Sequence, residues 1–246
     1  MKEEEKAIKR IETFASFDPY WVGFSGGKDS QVVLDLVKRS GVPFEAHCTM
    51  TGLDAPPLIR FIRQYYPEVS LDPVEINIKQ ICIQRQSIPT RMHRFCCEIL
   101  KERGGIGRVV LTGVRWQEST KRKKRLMYEP SRKVDKRFVN PIIDWKTSDV
   151  WRYIYAHNLP LNPLYFSPYN YRRVGCLGCP QNGKQGKDFR LFPASKKIWM
   201  AAIDAVLKRF PEGATSKIGT RDQVFDWWLS QKSVRVFKAQ GCLFFE

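Results

Sequence analysis

The chain has 246 residues, is 43% hydrophobic, and carries a formal net charge of +17 from 42 Lys+Arg against 25 Asp+Glu. That size and apolar content give one large domain, or a domain with a small appendage, and exclude a disordered chain. No run of about 18 apolar residues occurs, which excludes a membrane-crossing helix and leaves no membrane partner. The charged start Met1-Lys2-Glu3-Glu4-Glu5-Lys6 lacks an apolar signal core, so a cytoplasmic location is expected. The positive balance suits a polyanion or a highly charged small substrate.

In chain order, residues 2–14 read as a charged amphipathic helix, and Tyr20 to Phe24 as a buried strand. Ser25-Gly26-Gly27-Lys28-Asp29-Ser30 follows at once, and an apolar-faced helix over 31–37 comes next. A strand, a Gly-Gly turn and a helix start form a phosphate cradle: glycine lets the backbone approach an anion, and free N–H groups point at it. Lys28 adds a charge, while Ser25 and Ser30 add hydroxyls. The motif is not a Walker loop, because Asp29 separates the lysine from the serine. It resembles the pyrophosphate (PP) loop of the adenine-nucleotide alpha-hydrolase superfamily.

Further strands are expected at 44–50, 74–76, 108–111 and 138–143, and helices at 58–66, 79–86, 95–102 and 150–157, the last capped by Thr147-Ser148-Asp149. Alternating strands and helices predict an α/β fold with a doubly wound parallel sheet, whose ligands bind beyond the carboxyl ends of its strands. Ser25, Thr51 and Gly113 each follow a predicted strand, so their loops are expected to converge on one crevice. From 158 the pattern turns to Pro-rich, aromatic loop and then to helices at 196–210 and 221–230. The expected division is therefore a nucleotide-binding domain over 1–157 and a smaller, mostly helical C-terminal portion over 158–246.

Seven cysteines in a cytoplasmic chain do not suggest a disulfide frame. Cys96 and Cys97 are adjacent, and Cys176 and Cys179 form a Cys-x-x-Cys turn. Thiolates in such pairs bind soft metals, and spacing alone barely separates zinc from an iron–sulfur cluster. Arg115 at a strand end offers a planar fork suited to phosphate or sulfate, with the basic run Lys121-Arg122-Lys123-Lys124-Arg125 close behind.

Several blocks together resemble the phosphoadenosine phosphosulfate (PAPS) reductase family. They are SGGKDS, Thr51-Gly52-Leu53-Asp54, Arg94-Phe95-Cys96-Cys97-Glu98, Gly113-Val114-Arg115-Trp116, Asn140-Pro141-Ile142-Ile143-Asp144-Trp145 and Gly175-Cys176-Leu177-Gly178-Cys179-Pro180. The cysteine pattern is similar to the iron–sulfur, adenylyl-sulfate (APS) reductase branch. The resemblance implies a [4Fe–4S] cluster on Cys96, Cys97, Cys176 and Cys179, with zinc the lesser alternative. It implies an adenine nucleotide on Ser25, Gly26, Gly27, Lys28, Asp29, Ser30, Thr51, Gly113 and Arg115, with Lys28 and Arg115 catalytic. It also implies that Lys123 and Arg125 face the phosphosulfate.

In the reductases a cysteine near the C-terminal end attacks the sulfuryl sulfur, and a thioredoxin-like or other thiol resolves the adduct. Cys242 occupies that position, although the flanking acidic residue and histidine are absent from Gly241-Cys242-Leu243-Phe244-Phe245-Glu246. Two functions follow. One is an APS or PAPS reductase that releases sulfite. The alternative is an ATP-pyrophosphatase and sulfurtransferase that adenylates DNA or tRNA for sulfur insertion, a reading that the charge favours. Assembly as a homo-oligomer is left open.

Overall fold

The structure, a computed structural model, describes residues Lys2–Gly241. Ten α-helices lie among them: α1 Lys2–Thr13, α2 Lys28–Ser40, α3 Pro56–Tyr65, α4 Ile78–Gln84, α5 Phe95–Leu100, α6 Thr147–Ala156, α7 Gln185–Leu191, α8 Pro193–Arg209, α9 Arg221–Ser230 and α10 Val234–Gly241. The strands are β1 Tyr20–Gly23, β2 Phe44–Met50, β3 Val69–Pro73, β4 Val109–Leu111, β5 Tyr128–Pro130 and β6 Arg137–Val139. They form one six-stranded sheet in the order β3-β2-β1-β4-β6-β5. The chain groups into two compact units. The first is Met1–Thr49, Pro56–Asp72 and Arg103–Val174; the second is Met50–Ala55, Pro73–Glu102 and Gly175–Glu246.

In the first unit β1 pairs in parallel with β2 (Tyr20 opposite Phe44) and with β4 (Trp21 opposite Val110). β4 pairs in parallel with β6, and β5 closes the edge antiparallel to β6. The strands thus run outward in both directions from β1, and the change of direction falls between β1 and β4, where an α/β sheet opens a crevice at its carboxyl end. The short strands are buried by their apolar content: Tyr20, Val22 and Leu111 are inaccessible, as are Leu34 and Leu36 of α2 and Ile62 of α3. α2 ends where Gly41 takes a left-handed φ of 71° and its N–H returns to Lys38.

The second unit has its own core. Ile78 and Cys82 of α4, Trp199, Ile203 and Val206 of α8, and Phe225 and Trp228 of α9 pack with Leu53, Ile88 and Phe189. Asn77 caps α4 reciprocally with Gln80, and Thr220 caps α9 with Gln223.

Three expectations change. The strand expected at 74–76 lies at Val69–Pro73, ending on the proline rather than starting after it, since Pro73 has no N–H with which to continue the ladder. Thr147, Ser148 and Asp149 form the first turn of α6, with Asp149 Oδ2 accepting from the Lys146 N–H at 2.8 Å. The division at 157/158 does not coincide with the units. Residues up to Val174 pack with the first unit, and the segments 50–55 and 73–102 belong to the second.

Candidate functional site

The loop from Ser25 to Ser30 is closed in part by its own hydrogen bonds. Ser30 Oγ donates to the Gly27 carbonyl at 2.8 Å and accepts from the Ser25 N–H at 3.2 Å. Gly26 has φ of 65°, and a Cβ there would stand 2.5 Å from Leu58 Cδ1, so only glycine lets α3 press on the loop. Gly113, after β4, meets the same element: a Cβ would fall 2.9 Å from the Asp29 carbonyl oxygen. The β4 loop and the first turn of α2 therefore touch through backbone.

Charge at the loop is organised by Asp29. Its Oδ2 takes the Lys28 ammonium at 2.8 Å and its Oδ1 takes Arg115 Nε at 2.7 Å. Arg115 is buried at 2% exposure. Its Nη1 donates to the Trp145 carbonyl at 3.2 Å, and both terminal nitrogens reach Thr147 Oγ1 at 3.4 Å. The fork expected to face an anion is thus committed to Asp29 and to the segment entering α6. Arg125 is paired with Glu129 and lies over the Phe138 ring at 5.2 Å. Lys123 is exposed. Arg122 pairs with Glu118, whose other oxygen holds Arg173 at 3.4 Å. Burial, with Arg173 close by, holds the Arg122 guanidinium below its ordinary value, and Asp29 and Glu118 counter this.

Two supports were not legible in the sequence. Asn162 Nδ2 donates to the Gly26 carbonyl at 2.6 Å, and the Tyr165 hydroxyl accepts from the Lys28 N–H at 2.9 Å. Both sit in the loop after α6, where the pattern signalled a Pro-rich, aromatic loop.

Cys96, Cys97, Cys176 and Cys179 all belong to the second unit. Cys96 and Cys97 open α5 and hydrogen-bond each other, and the charges of Cys176 and Cys179 act on Cys96. Hydrogen bonding from Cys96, with Lys101 and Arg94 nearby, pulls Cys97 down to about 6, and Cys96 moves up in return. Burial pushes Cys179 up. Although desolvation opposes its charge, Lys101 is held above the lysine range by Cys176, to which it hydrogen-bonds, and by Asp54 and Cys97. Thr51, expected beside the nucleotide, bonds Asp54 Oδ2 at 3.0 Å, and its Oγ1 lies 3.5 Å from Cys176 Sγ. The Cys-x-x-Cys turn is held where Gly178 (φ 70°) packs on Trp199 and donates its N–H to Asp188 Oδ2 at 2.8 Å. All six described cysteines are free, and among the described residues no three His, Cys, Asp or Glu side chains converge as for a single metal ion. Cys242 lies outside the described residues.

A mostly parallel sheet with a glycine phosphate loop at its switch point defines an α/β protein of the adenine-nucleotide alpha-hydrolase kind. The family model for the phosphoadenosine phosphosulfate reductase domain matches residues 19–182, and the chain belongs to that family. An adenosine 5'-phosphosulfate reductase of Neisseria meningitidis is 38% identical over 66% of this chain and 72% of its own. An uncharacterized protein of Methanocaldococcus jannaschii is 33% identical over 76% of this chain. The chain spans under half of that protein and of a second from the same organism, 47% and 42%. Among solved structures, a PAPS reductase from Candida auris in a phosphate complex superposes with a TM-score of 0.53 at 16% identity, covering 70% of this chain and 88% of that one. Candida glabrata FMN adenylyltransferase with FAD and pyrophosphate gives 0.52 at 17% identity, covering 72% and 63%. At those identities the structural matches speak to the fold alone. Among the described residues no helix is long and apolar enough to cross a membrane.

Proposed function

We propose that the chain is a sulfonucleotide reductase-like enzyme that binds an adenylyl sulfate on the loop 25–30 and releases sulfite. The observation that carries this reading is the thiol constellation: two cysteine pairs, far apart in sequence, fall in one compact unit of a protein of the PAPS reductase family. The four thiols suit a [4Fe–4S] cluster, in which each iron takes one thiolate, better than a zinc ion, on which all sulfurs must converge. Bound there, the cluster would supply fixed charge beside Lys101.

In the chemistry proposed, backbone N–H groups of the loop and Lys28 hold the nucleotide phosphate. Arg115 acts through Asp29, setting the position of Lys28. A thiolate, for which Cys242 is the candidate, attacks the sulfuryl sulfur. The S–O bond to the phosphate breaks, the nucleotide leaves with the electron pair, and fixed positive charge stabilises it. A second thiol, from a thioredoxin-like or other donor, then attacks the cysteine sulfur of the adduct. Sulfite leaves and a disulfide forms, which external thiol reduces.

One observation favours the second reading. Lys121, Lys123 and Lys124 are exposed and carry no carboxylate partner among the described residues, which suits a nucleic acid receiving sulfur after ATP-dependent adenylation.

The deciding experiment supplies anaerobically purified protein with APS, PAPS or ATP and a dithiol. Sulfite release that is lost in Cys242→Ser is expected. Sulfite release that persists in Cys242→Ser refutes that nucleophile, and pyrophosphate release from ATP stimulated by DNA or tRNA replaces the first reading with the second.

A further inference from the structure

The loop presents a feature that nothing in the reductase chemistry uses. Lys28, the first residue of α2, directs its backbone N–H not into open space but onto the Tyr165 hydroxyl oxygen at 2.9 Å. Tyr165 ends a short 3-10 turn, Pro163–Tyr165, that is tied to the loop a second time by the Asn162 amide on the Gly26 carbonyl. The ring is wedged edge-on against Trp151, with centroids 5.2 Å apart at 83°. The Lys28 ammonium lies 5.8 Å from the ring centre.

Gly27 makes room for this arrangement. Its φ is an ordinary −83°, yet a Cβ there would stand 3.3 Å from the tyrosine oxygen. The second glycine of the loop thus admits the phenol as well as any anion. The hydroxyl oxygen is occupied as an acceptor, and its hydrogen has no acceptor among the described residues. An O–H that accepts from an amide is polarised and becomes a better donor. Burial raises the phenol above its ordinary range, so it stays protonated, and Arg173 and Arg115 act on it electrostatically. A neutral donor with an idle hydrogen, beside cations and at a helix N-terminus, matches an oxyanion.

We propose that Tyr165 is a ligand-contacting residue of this site, donating its phenolic hydrogen to an oxygen of the bound phosphate or phosphosulfate group. The Lys28 amide then acts on the anion through the phenol, and the loop's reach extends by one hydroxyl. This rests on the nucleotide-site reading above, and the test separates the two.

Tyr165→Phe keeps the ring, its packing on Trp151 and the space beside Gly27. Affinities of the wild type and Tyr165→Phe for ATP and for inorganic pyrophosphate are compared by calorimetry, with the unliganded melting temperatures as the check on folding. A charge-assisted hydrogen bond predicts that both probes bind roughly tenfold or more weakly to the variant. Unchanged binding overturns the proposal. Tighter binding also overturns it and makes the phenol a plug over the amide. Weaker ATP binding with unchanged pyrophosphate binding overturns it as well, because the lost contact then lies away from the phosphates. Should the wild type bind neither probe, the nucleotide-site reading falls first. A second measurement needs no destabilised protein: with 3-fluorotyrosine incorporated, the Tyr165 fluorine resonance, assigned by its loss in Tyr165→Phe, is expected to shift on saturation with pyrophosphate. No shift overturns the contact.

Discussion

Asp29 divides one carboxylate between two cations, Lys28 and Arg115, and so decides where both point. Sequence reasoning found the loop because its glycines and flanking strand and helix are local features. It did not foresee the ion pair of Arg115 with Asp29, because the two lie 86 residues apart in sequence. The same limit hid Tyr165, whose contact with Lys28 spans 137 residues. The cysteine pairs were legible as pairs, and their difference in chemistry was not. Cys97 is drawn to about 6 by Cys96 and by Lys101 and Arg94, whereas burial alone pushes Cys82 up to about 12. In reduced, metal-free protein, alkylation by iodoacetamide is expected to reach Cys97 well before Cys82, with a rate that rises through about pH 6 and levels above it. Peptide mapping across pH checks this, and equal labelling of the two thiols would remove the assigned asymmetry.

At the scale of elements, α1 is tied to the turn after β6 by a bidentate contact. Arg10 donates to both oxygens of Asp144, at 2.7 and 2.8 Å, and to the Pro141 carbonyl, while Lys6 adds a third bond at 2.7 Å. The Arg10 guanidinium, aided by Lys6, holds the Asp144 carboxyl well below the usual carboxylate range. A carboxyl lowered in the folded state stabilises fully above its ordinary value and loses that contribution progressively as pH falls from that value towards the lowered one. Asp144→Asn is expected to cost about 1 kcal/mol at pH 7 once solvent screening is allowed for, and progressively less towards pH 2. Thermal denaturation across pH tests it, and a cost independent of pH would count against the ion pair. Elements with strong local punctuation were readable, and α9 runs from Arg221 to Ser230 as expected. β5 was not expected, because Tyr128-Glu129-Pro130 has no apolar alternation and exists as a strand only by pairing with β6.

For the whole molecule, the fold class followed from the alternation of strands and helices, whereas the grouping into units did not. Each unit is assembled from separated segments, and no composition change marks 50–55 or 73–102 as companions of the helices after 175. The net charge of +17 belongs to this scale too. Under the second reading, tRNA affinity is expected to fall steeply with salt. Changing Lys121, Lys123 and Lys124 together to Glu should lower the slope of log affinity against log salt by roughly three. An unchanged slope would take those lysines out of contact with the polyanion.

The second unit also sets an order of events during synthesis. Thr51 and Cys176 meet across 125 residues, and the Leu177 N–H closes on the Leu53 carbonyl at 2.7 Å. Until the chain past Cys179 has left the ribosome, Cys96 and Cys97 lack the segment that carries Cys176 and Cys179 as a neighbour. Pairing of the two cysteine segments is therefore a late step of folding, set by when the turn at Cys176 and Cys179 becomes available.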